Sequence, residues 1–247
     1  METQGRIHSI DTMSTLDGPG FRFVVFMQGC LQRCIYCHNP DTWDENGGQE
    51  WTVNDLFNKI LKYKELYAAS SGGVTFSGGE PLIQPEFVYQ LIELLNNENI
   101  HTALDTSGFF KKKDNDIIYK LTDKADLILL DIKSAIPETH KIITGNPIES
   151  FLEFIEILNK LKKQIILRYP VIPDYNNNSK ELDEIINLIT TIPSIIRIDI
   201  LPFHQLGKVK WEKLEFNYIL QNTSPLYQKD VEDIKQKIID RTGLKVL

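Results

Sequence analysis

Six apolar runs of strand length alternate with helical patterns along this chain, and that alternation constrains its fold more than any other feature. Residues 22–27 read as the first strand. Residues 74–76 are a short run, but Gly-Gly precedes them and Ser-Gly-Gly follows. Residues 102–104, 127–130, 165–167 and 195–201 complete the set. Most are near-continuous apolar stretches, the pattern of strands covered on both faces, from which parallel sheets are built. Between them, Thr52-Val-Asn-Asp55 has the form of a capping box and opens an amphipathic run to about residue 69. Phe87, Val88, Leu91, Ile92, Leu94 and Leu95 recur at helical spacing. Further helices are expected over about 151–162, 181–190 and 230–240. The order β, α, β, α predicts an α/β fold with parallel strands and right-handed crossovers. No low-complexity linker divides the chain, and the Asn triplet at 176–178 reads as a solvated turn. One domain over residues 1–247 is expected, with a core over about 20–205 and a C-terminal extension over about 206–247.

Charge and hydropathy remove several function classes. Lys and Arg total 27 against 34 Asp and Glu, a formal charge of -7. A net acidic chain is a poor partner for nucleic acid or an anionic membrane. No apolar run approaches the roughly 20 residues of a spanning helix. The first residues lack the basic and apolar regions of a secretory signal, so a cytoplasmic protein is expected.

The three cysteines, Cys30, Cys34 and Cys37, lie within eight positions of one another. An odd, clustered set in a reducing compartment is not a disulfide framework. Cys30-Leu-Gln-Arg-Cys34-Ile-Tyr-Cys37 follows the first strand, where βα loops carry active sites in barrel-type folds. Four chemistries fit the spacing in part. A structural zinc needs four ligands and would have to recruit His38, which adjoins Cys37. Cys34-Ile-Tyr-Cys37-His38 matches the C-x-x-C-H of covalent haem, which normally requires export. A C-x-x-C dithiol leaves Cys30 unexplained. A [4Fe–4S] cluster usually takes four thiolates, and here three would leave one iron open to a substrate. On spacing alone the cluster ranks first and zinc second.

The cysteine motif is the signature of the radical S-adenosylmethionine superfamily, and the resemblance runs well beyond it. Gly5-Arg-Ile-His-Ser9, Asp17-Gly-Pro-Gly20, Phe26-Met-Gln-Gly-Cys30, Tyr36-Cys-His-Asn39, Asp41-Thr-Trp43 and Gly72-Gly-Val74 all resemble the pyruvate formate-lyase activating-enzyme family of glycyl-radical activases. So do Ser77-Gly-Gly-Glu80, His101-Thr-Ala-Leu-Asp-Thr106, Asp131-Ile-Lys133 and Leu201-Pro-Phe-His204-Gln-Leu-Gly-Lys208. The resemblance implies a partial (β/α)6 barrel, a [4Fe–4S] cluster, and S-adenosylmethionine chelating the fourth iron through its amino and carboxylate groups. One electron would break its C–S bond, giving methionine and a 5′-deoxyadenosyl radical that takes a hydrogen from a glycine of the partner enzyme. The implied partners are pyruvate formate-lyase, through its glycine loop, and flavodoxin or ferredoxin as electron donor. A monomer is expected.

Residue by residue, the resemblance gives Cys30, Cys34 and Cys37 to the cluster and Tyr36, Cys37 and His38 to the neighbourhood of the adenine. Tyr36 could equally pack over the cluster as a lid. Gly78, Gly79 and Glu80 are expected at the cofactor's ammonium, although two glycines and a Glu also make an ordinary turn into a helix. Asp131, Ile132 and Lys133 are expected beside the methionine moiety or ribose, and His204 at the nucleoside. Arg168 interrupts an apolar strand, so it either reaches the cofactor carboxylate or pairs with Asp131 or Asp199. Asp105, Thr106 and Asp131 are candidates for a monovalent cation, since hard cations choose oxygen ligands. Asp17 and Gly18 are candidates for holding the target glycine loop, and otherwise form a tight turn. The competing functions are an activase of another glycyl-radical enzyme, a zinc-stabilised binding module and a haem protein. Activases for dehydratases and decarboxylases often carry further cysteines, which are absent here.

Overall fold

In a computed structural model, residues 2–247 are described, and all six expected strands are present. In chain order the elements are β1 (Gln4–Ser14), β2 (Arg22–Met27), β3 (Gln49–Thr52), α1 (Val53–Leu61), α2 (Lys64–Ala69), β4 (Gly73–Gly78), α3 (Pro85–Asn97), β5 (His101–Thr106), α4 (Asn115–Lys124) and β6 (Leu127–Asp131). They continue as α5 (Pro137–Thr144), α6 (Glu149–Leu161), β7 (Ile165–Val171), α7 (Ser179–Thr190), β8 (Ile195–Pro202), α8 (Lys208–Lys213) and α9 (Gln228–Thr242). The strands form one eight-stranded sheet in the order β3-β1-β2-β4-β5-β6-β7-β8. β2, β4 and β5 run parallel, as do β7 and β8. This is the strand and helix alternation of a partial (β/α)6 barrel, with an antiparallel pair added at one edge.

That added pair, β1 and β3, departs from the expectation of six strands. β1 pairs antiparallel with both β2 and β3; Ile7 is buried, and from His8 onward the side chains alternate between half-buried and exposed positions. A strand wet on one face shows no continuous apolar run, so its eleven residues read as an extension. The expected helix over 52–69 is two helices, interrupted at Lys62–Tyr63. Its start is as read: the Thr52 hydroxyl accepts from the Asp55 amide at 3.1 Å and donates to the Asp55 carboxylate at 2.8 Å. The far edge strand, β8, is covered by the chain end, where Ile198 bridges to Val246 and Ile200 donates to the Leu247 carbonyl at 3.0 Å. Pairing of this kind removes the row of free amides that makes an edge adhesive.

The chain divides into two compact units: residues up to Leu31 with Thr42–Leu129, and Gln32–Asp41 with Leu130–Leu247. In the first, the parallel register aligns Arg22 with Gly73 and Gly73 with His101, so residues that share a face recur every second position. Phe23, Val25, Met27, Val74, Phe76 and Leu104 make one fully buried apolar face. Phe87, Val88, Leu91, Ile92 and Leu95 bury the inner side of α3, which packs on α4 and α1. Each such side chain contributes about 1.5–3 kcal/mol. The other face carries Arg22, Thr75, Ser77, His101 and Asp105. In the second unit β7 and β8 form the floor, and α9 packs against both β8 and α7.

Candidate active site

In the first unit, the segment that leads to Cys30 is zipped to the turn after β4. Gly79 donates to the Met27 carbonyl at 2.9 Å and Glu80 to the Gly29 carbonyl at 2.9 Å. A Cβ on Gly79 would stand 2.1 Å from the Gly29 carbonyl oxygen, and Gly78 has φ +99°. Only glycine fits both demands. The close approach expected at Gly78 and Gly79 is therefore made by the chain's own backbone.

Glu80 lies inside this turn, 1% exposed. Its Oε1 accepts from Leu82 N at 3.1 Å and from the Thr106 hydroxyl at 2.6 Å. Its Oε2 accepts from Ser107 N at 3.0 Å and from the Ser107 hydroxyl. Burial pushes its pKa up, against the pull of these four donors. Glu80 thus acts as a clasp that fixes the ends of β4 and β5, and its carboxylate is occupied by chain donors.

Asp105 and Thr106 end β5 on opposite faces, as adjacent strand residues must. Asp105 accepts from the Ser77 hydroxyl at 2.7 Å, and the Thr106 hydroxyl is turned to Glu80. Among the described residues, no three His, Cys, Asp or Glu side chains gather as they would around one metal ion.

Two residues back along the same face as Ser77, Thr75 donates to the Asp17 carbonyl at 2.7 Å. The Asp17 carboxylate accepts from the Ser14 hydroxyl, and Gly18 and Gly20 have φ +129° and +66°. Beneath this turn lies Arg22, fully buried. Its guanidinium donates to Thr75 Oγ1 at 2.9 Å, to His101 Nδ1 at 3.1 Å and to the Val74 carbonyl. Because Arg only donates, His101 Nδ1 accepts and its proton sits on Nε2. Burial lowers the Arg22 pKa to about 10, although Asp126 and Asp17 oppose the shift. Sequence reading missed Arg22 as a support for the Asp17 turn; a lone cation opening an apolar strand was the available signal.

In the second unit, the cysteine loop rests on the end of α5. Arg33 and Ile35 donate to the carbonyls of Thr144 and Ile143 at 2.7 and 2.9 Å. Cys37 N donates to Cys34 O at 3.0 Å, which closes a tight turn between two thiols. None of the three cysteines is in a disulfide, and all are half-buried. Lys133, 6% exposed, donates to Asp131 at 2.9 Å and lies 5.7 Å from the centre of the Tyr36 ring. Burial alone would lower the Lys133 pKa, but Asp131, Tyr36 and Cys34 together raise it well above the ordinary lysine value. The Tyr36 hydroxyl is buried without a hydrogen-bond partner, and burial raises its pKa. His38 and His204 stack with centroids 4.2 Å apart and planes at 16°. Burial and the neighbouring His204 lower the His38 pKa.

Ile132 is fully buried and its amide is bound to Arg168 O at 2.9 Å. Arg168 sits half-buried in β7, while Asp131 pairs with Lys133 and Asp199 with Arg197 through bonds of 2.7 and 2.8 Å. Asn176, read as solvated, is fully buried. Its amide donates to the carbonyls of Lys133 and Pro170, each at 2.8 Å, and its carbonyl accepts from Ile172 N at 2.7 Å. It fixes the loop after β6 to the end of β7, a role that an Asn triplet does not signal.

The profile of the radical SAM superfamily matches residues 24–189. The pyruvate formate-lyase 1-activating enzyme of Escherichia coli is 39% identical over 247 residues, covering 100% of both chains. That of Listeria monocytogenes is also 39% identical, with 99% of both chains covered. The chain belongs to the radical SAM superfamily and to its pyruvate formate-lyase-activating enzymes. A solved domain of the Bacteroides vulgatus activating enzyme superposes with TM-score 0.56 at 25% identity, covering 71% of this chain and 98% of that one. Radical SAM proteins carry a [4Fe–4S] cluster and S-adenosylmethionine. The residues fit both. Three unbridged thiols are the donors an iron–sulfur cluster uses, and the orphaned Tyr36 hydroxyl, beside an ammonium–carboxylate pair, is a buried polar atom that a polar ligand would satisfy.

Proposed function

We propose that this chain activates a pyruvate formate-lyase by installing a radical on one of its backbone glycines. The observation that carries the reading is a C-x3-C-x2-C set of cysteines outside any disulfide, in a chain with no fourth cysteine. When bound, the cluster and S-adenosylmethionine supply reductive C–S cleavage to methionine and a 5′-deoxyadenosyl radical, which removes the glycine hydrogen. Cys30, Cys34 and Cys37 hold the cluster. Lys133, aimed by Asp131, presents a buried ammonium, and the Tyr36 hydroxyl adds a hydrogen-bonding group at the same place. Gly78, Gly79 and Glu80 set the shape of the cofactor-facing turn rather than offering a free carboxylate. The His38–His204 stack offers a flat surface for the nucleoside, and Arg168 a cation for the cofactor carboxylate. Asp17 and Gly18, on the polar face of the sheet below Ser77, hold the partner's glycine loop. Flavodoxin or ferredoxin supplies the electron, and the protein works as a monomer in the cytoplasm. Among the described residues no helix is long and apolar enough to cross a membrane.

The test is anaerobic iron reconstitution followed by electron paramagnetic resonance of the reduced protein. The expected result is a cluster signal that changes on adding S-adenosylmethionine, then a glycyl-radical signal on added pyruvate formate-lyase. Cys30→Ala, Cys34→Ala and Cys37→Ala should each abolish cofactor cleavage. No iron uptake, or a signal indifferent to S-adenosylmethionine, would overturn the reading.

A further inference from the structure

The segment that follows β8 touches the chain after Cys34 almost residue by residue. Trp211 Nε1 donates to the Cys37 carbonyl at 2.8 Å. Gly207 lies so close that a Cβ there would be 2.9 Å from the same carbonyl oxygen and 2.8 Å from His38 Cα. The His204 ring stacks on His38. Lys210 Nζ donates to Asn39 Oδ1 at 2.8 Å and pairs with Asp41 at 2.9 Å. With the Cys37 amide already bound to Cys34 O, both backbone polar groups of Cys37 are fixed.

The brace is itself held. Trp211 is 6% exposed, with its ring 5.1 Å from that of Tyr218 and 6.3 Å from that of Phe216. Gln205 Nε2 reaches the carbonyls of Leu220, Gln221 and Thr223 at 3.0, 3.2 and 2.7 Å, pinning the start of the segment to the chain beyond α8. An indole with one donor, pointed at one carbonyl from a packed pocket, leaves that carbonyl little freedom.

We propose that Trp211 is a positioning residue for Cys37: through the Cys37 carbonyl it sets where the third thiolate stands, with Gly207 and Lys210 completing the brace. The inference rests on the cluster reading of the preceding subsection. Partners behind a metal ligand orient it, and their loss typically weakens metal retention about 10–100-fold.

Trp211→Phe keeps an aromatic ring in the Tyr218–Phe216 pocket and removes only the N–H. Two readouts apply besides turnover. Hydrogen exchange of a peptide spanning residues 34–41 in the cluster-free chain should quicken by about five-fold, the equivalent of one net hydrogen bond. Iron loss from the reconstituted protein to a ferrous chelator should quicken by about ten-fold, with the melting temperature of the cluster-free variant close to that of the unaltered chain. Lys210→Met, at a more exposed position, should raise the same two rates to a smaller extent and serves if Trp211→Phe does not fold. Unchanged exchange and unchanged iron loss in a folded variant would overturn the brace. No iron uptake by the unaltered chain would overturn the cluster reading instead, and the exchange rates would still decide the brace.

Discussion

Glu80→Ala tests whether the Gly-Gly-Glu turn is held from within. The carboxylate accepts from two backbone amides, Leu82 and Ser107, and from two hydroxyls, Thr106 and Ser107. The hydroxyls can rotate to other acceptors, but the amides are fixed by the chain. Each buried donor left unmade costs about 1–3 kcal/mol, so two put the loss near 4 kcal/mol, before the cavity is counted. A domain's whole stability is about 5–15 kcal/mol, so the variant should be visibly crippled. Glu80→Gln keeps one acceptor oxygen and sets its amide against a chain N–H, so about half the loss is expected. The assay is urea denaturation of the cluster-free chain, followed by far-ultraviolet circular dichroism. A Glu80→Ala variant within about 1 kcal/mol of the unaltered chain, with weakened S-adenosylmethionine binding, would refute the clasp and restore Glu80 as a ligand-facing carboxylate.

Tyr36→Phe removes a buried hydroxyl that has no partner; the cluster-free chain should gain about 1 kcal/mol in denaturation while S-adenosylmethionine binding by calorimetry weakens. His140, 2% exposed with both ring nitrogens unpartnered, has its pKa lowered by burial to about 4. The unfolded chain therefore binds a proton at a pH where the folded chain does not, so stability present above the unfolded value of 6.5 falls as pH drops toward 4. Between pH 7 and pH 5 the loss from this group is about 2 kcal/mol, and a His140→Gln variant should show a flatter profile in the same urea titration. Gly79→Ala should lower the thermal midpoint, at a cost of about 2 kcal/mol or more, because the new methyl meets the Gly29 carbonyl.

The parallel strands were legible because each is an apolar run bounded by turn residues. β1 was not, since its wet face breaks the run. Among the site residues, the cysteines stood out by type and spacing, whereas Glu80, Asp131, Lys133 and His204 were marked by the resemblance of their motifs to the family. What each side chain does was less legible. Glu80 and Thr106 are twenty-six positions apart, and nothing local says that one accepts from the other. Arg22, Asn176 and Trp211 escaped for a related reason: each acts through backbone or side-chain partners far away in sequence. The Asn triplet misled because Asn favours turns in general, and only the folded chain shows that its first member is buried.

The polar and apolar faces of β2, β4 and β5 also bear on how the chain reaches its fold. The parallel register places Arg22, Thr75, Ser77 and His101 on one side and Phe23, Val25, Val74 and Phe76 on the other. Sliding β4 by one residue against β2 would turn Thr75 and Ser77 into the layer that receives α3, and would force Val74 and Phe76 toward the guanidinium of Arg22. Every slip by an odd number of residues thus strands a charge in oil or a benzyl ring beside an ion, and register is strongly specified wherever faces differ this way. During synthesis, β4 leaves the ribosome well after β2, with 45 residues between them. The two-sided coding acts as a proofreading step for that delayed pairing, favouring release of a slipped strand before the helices can seal it in.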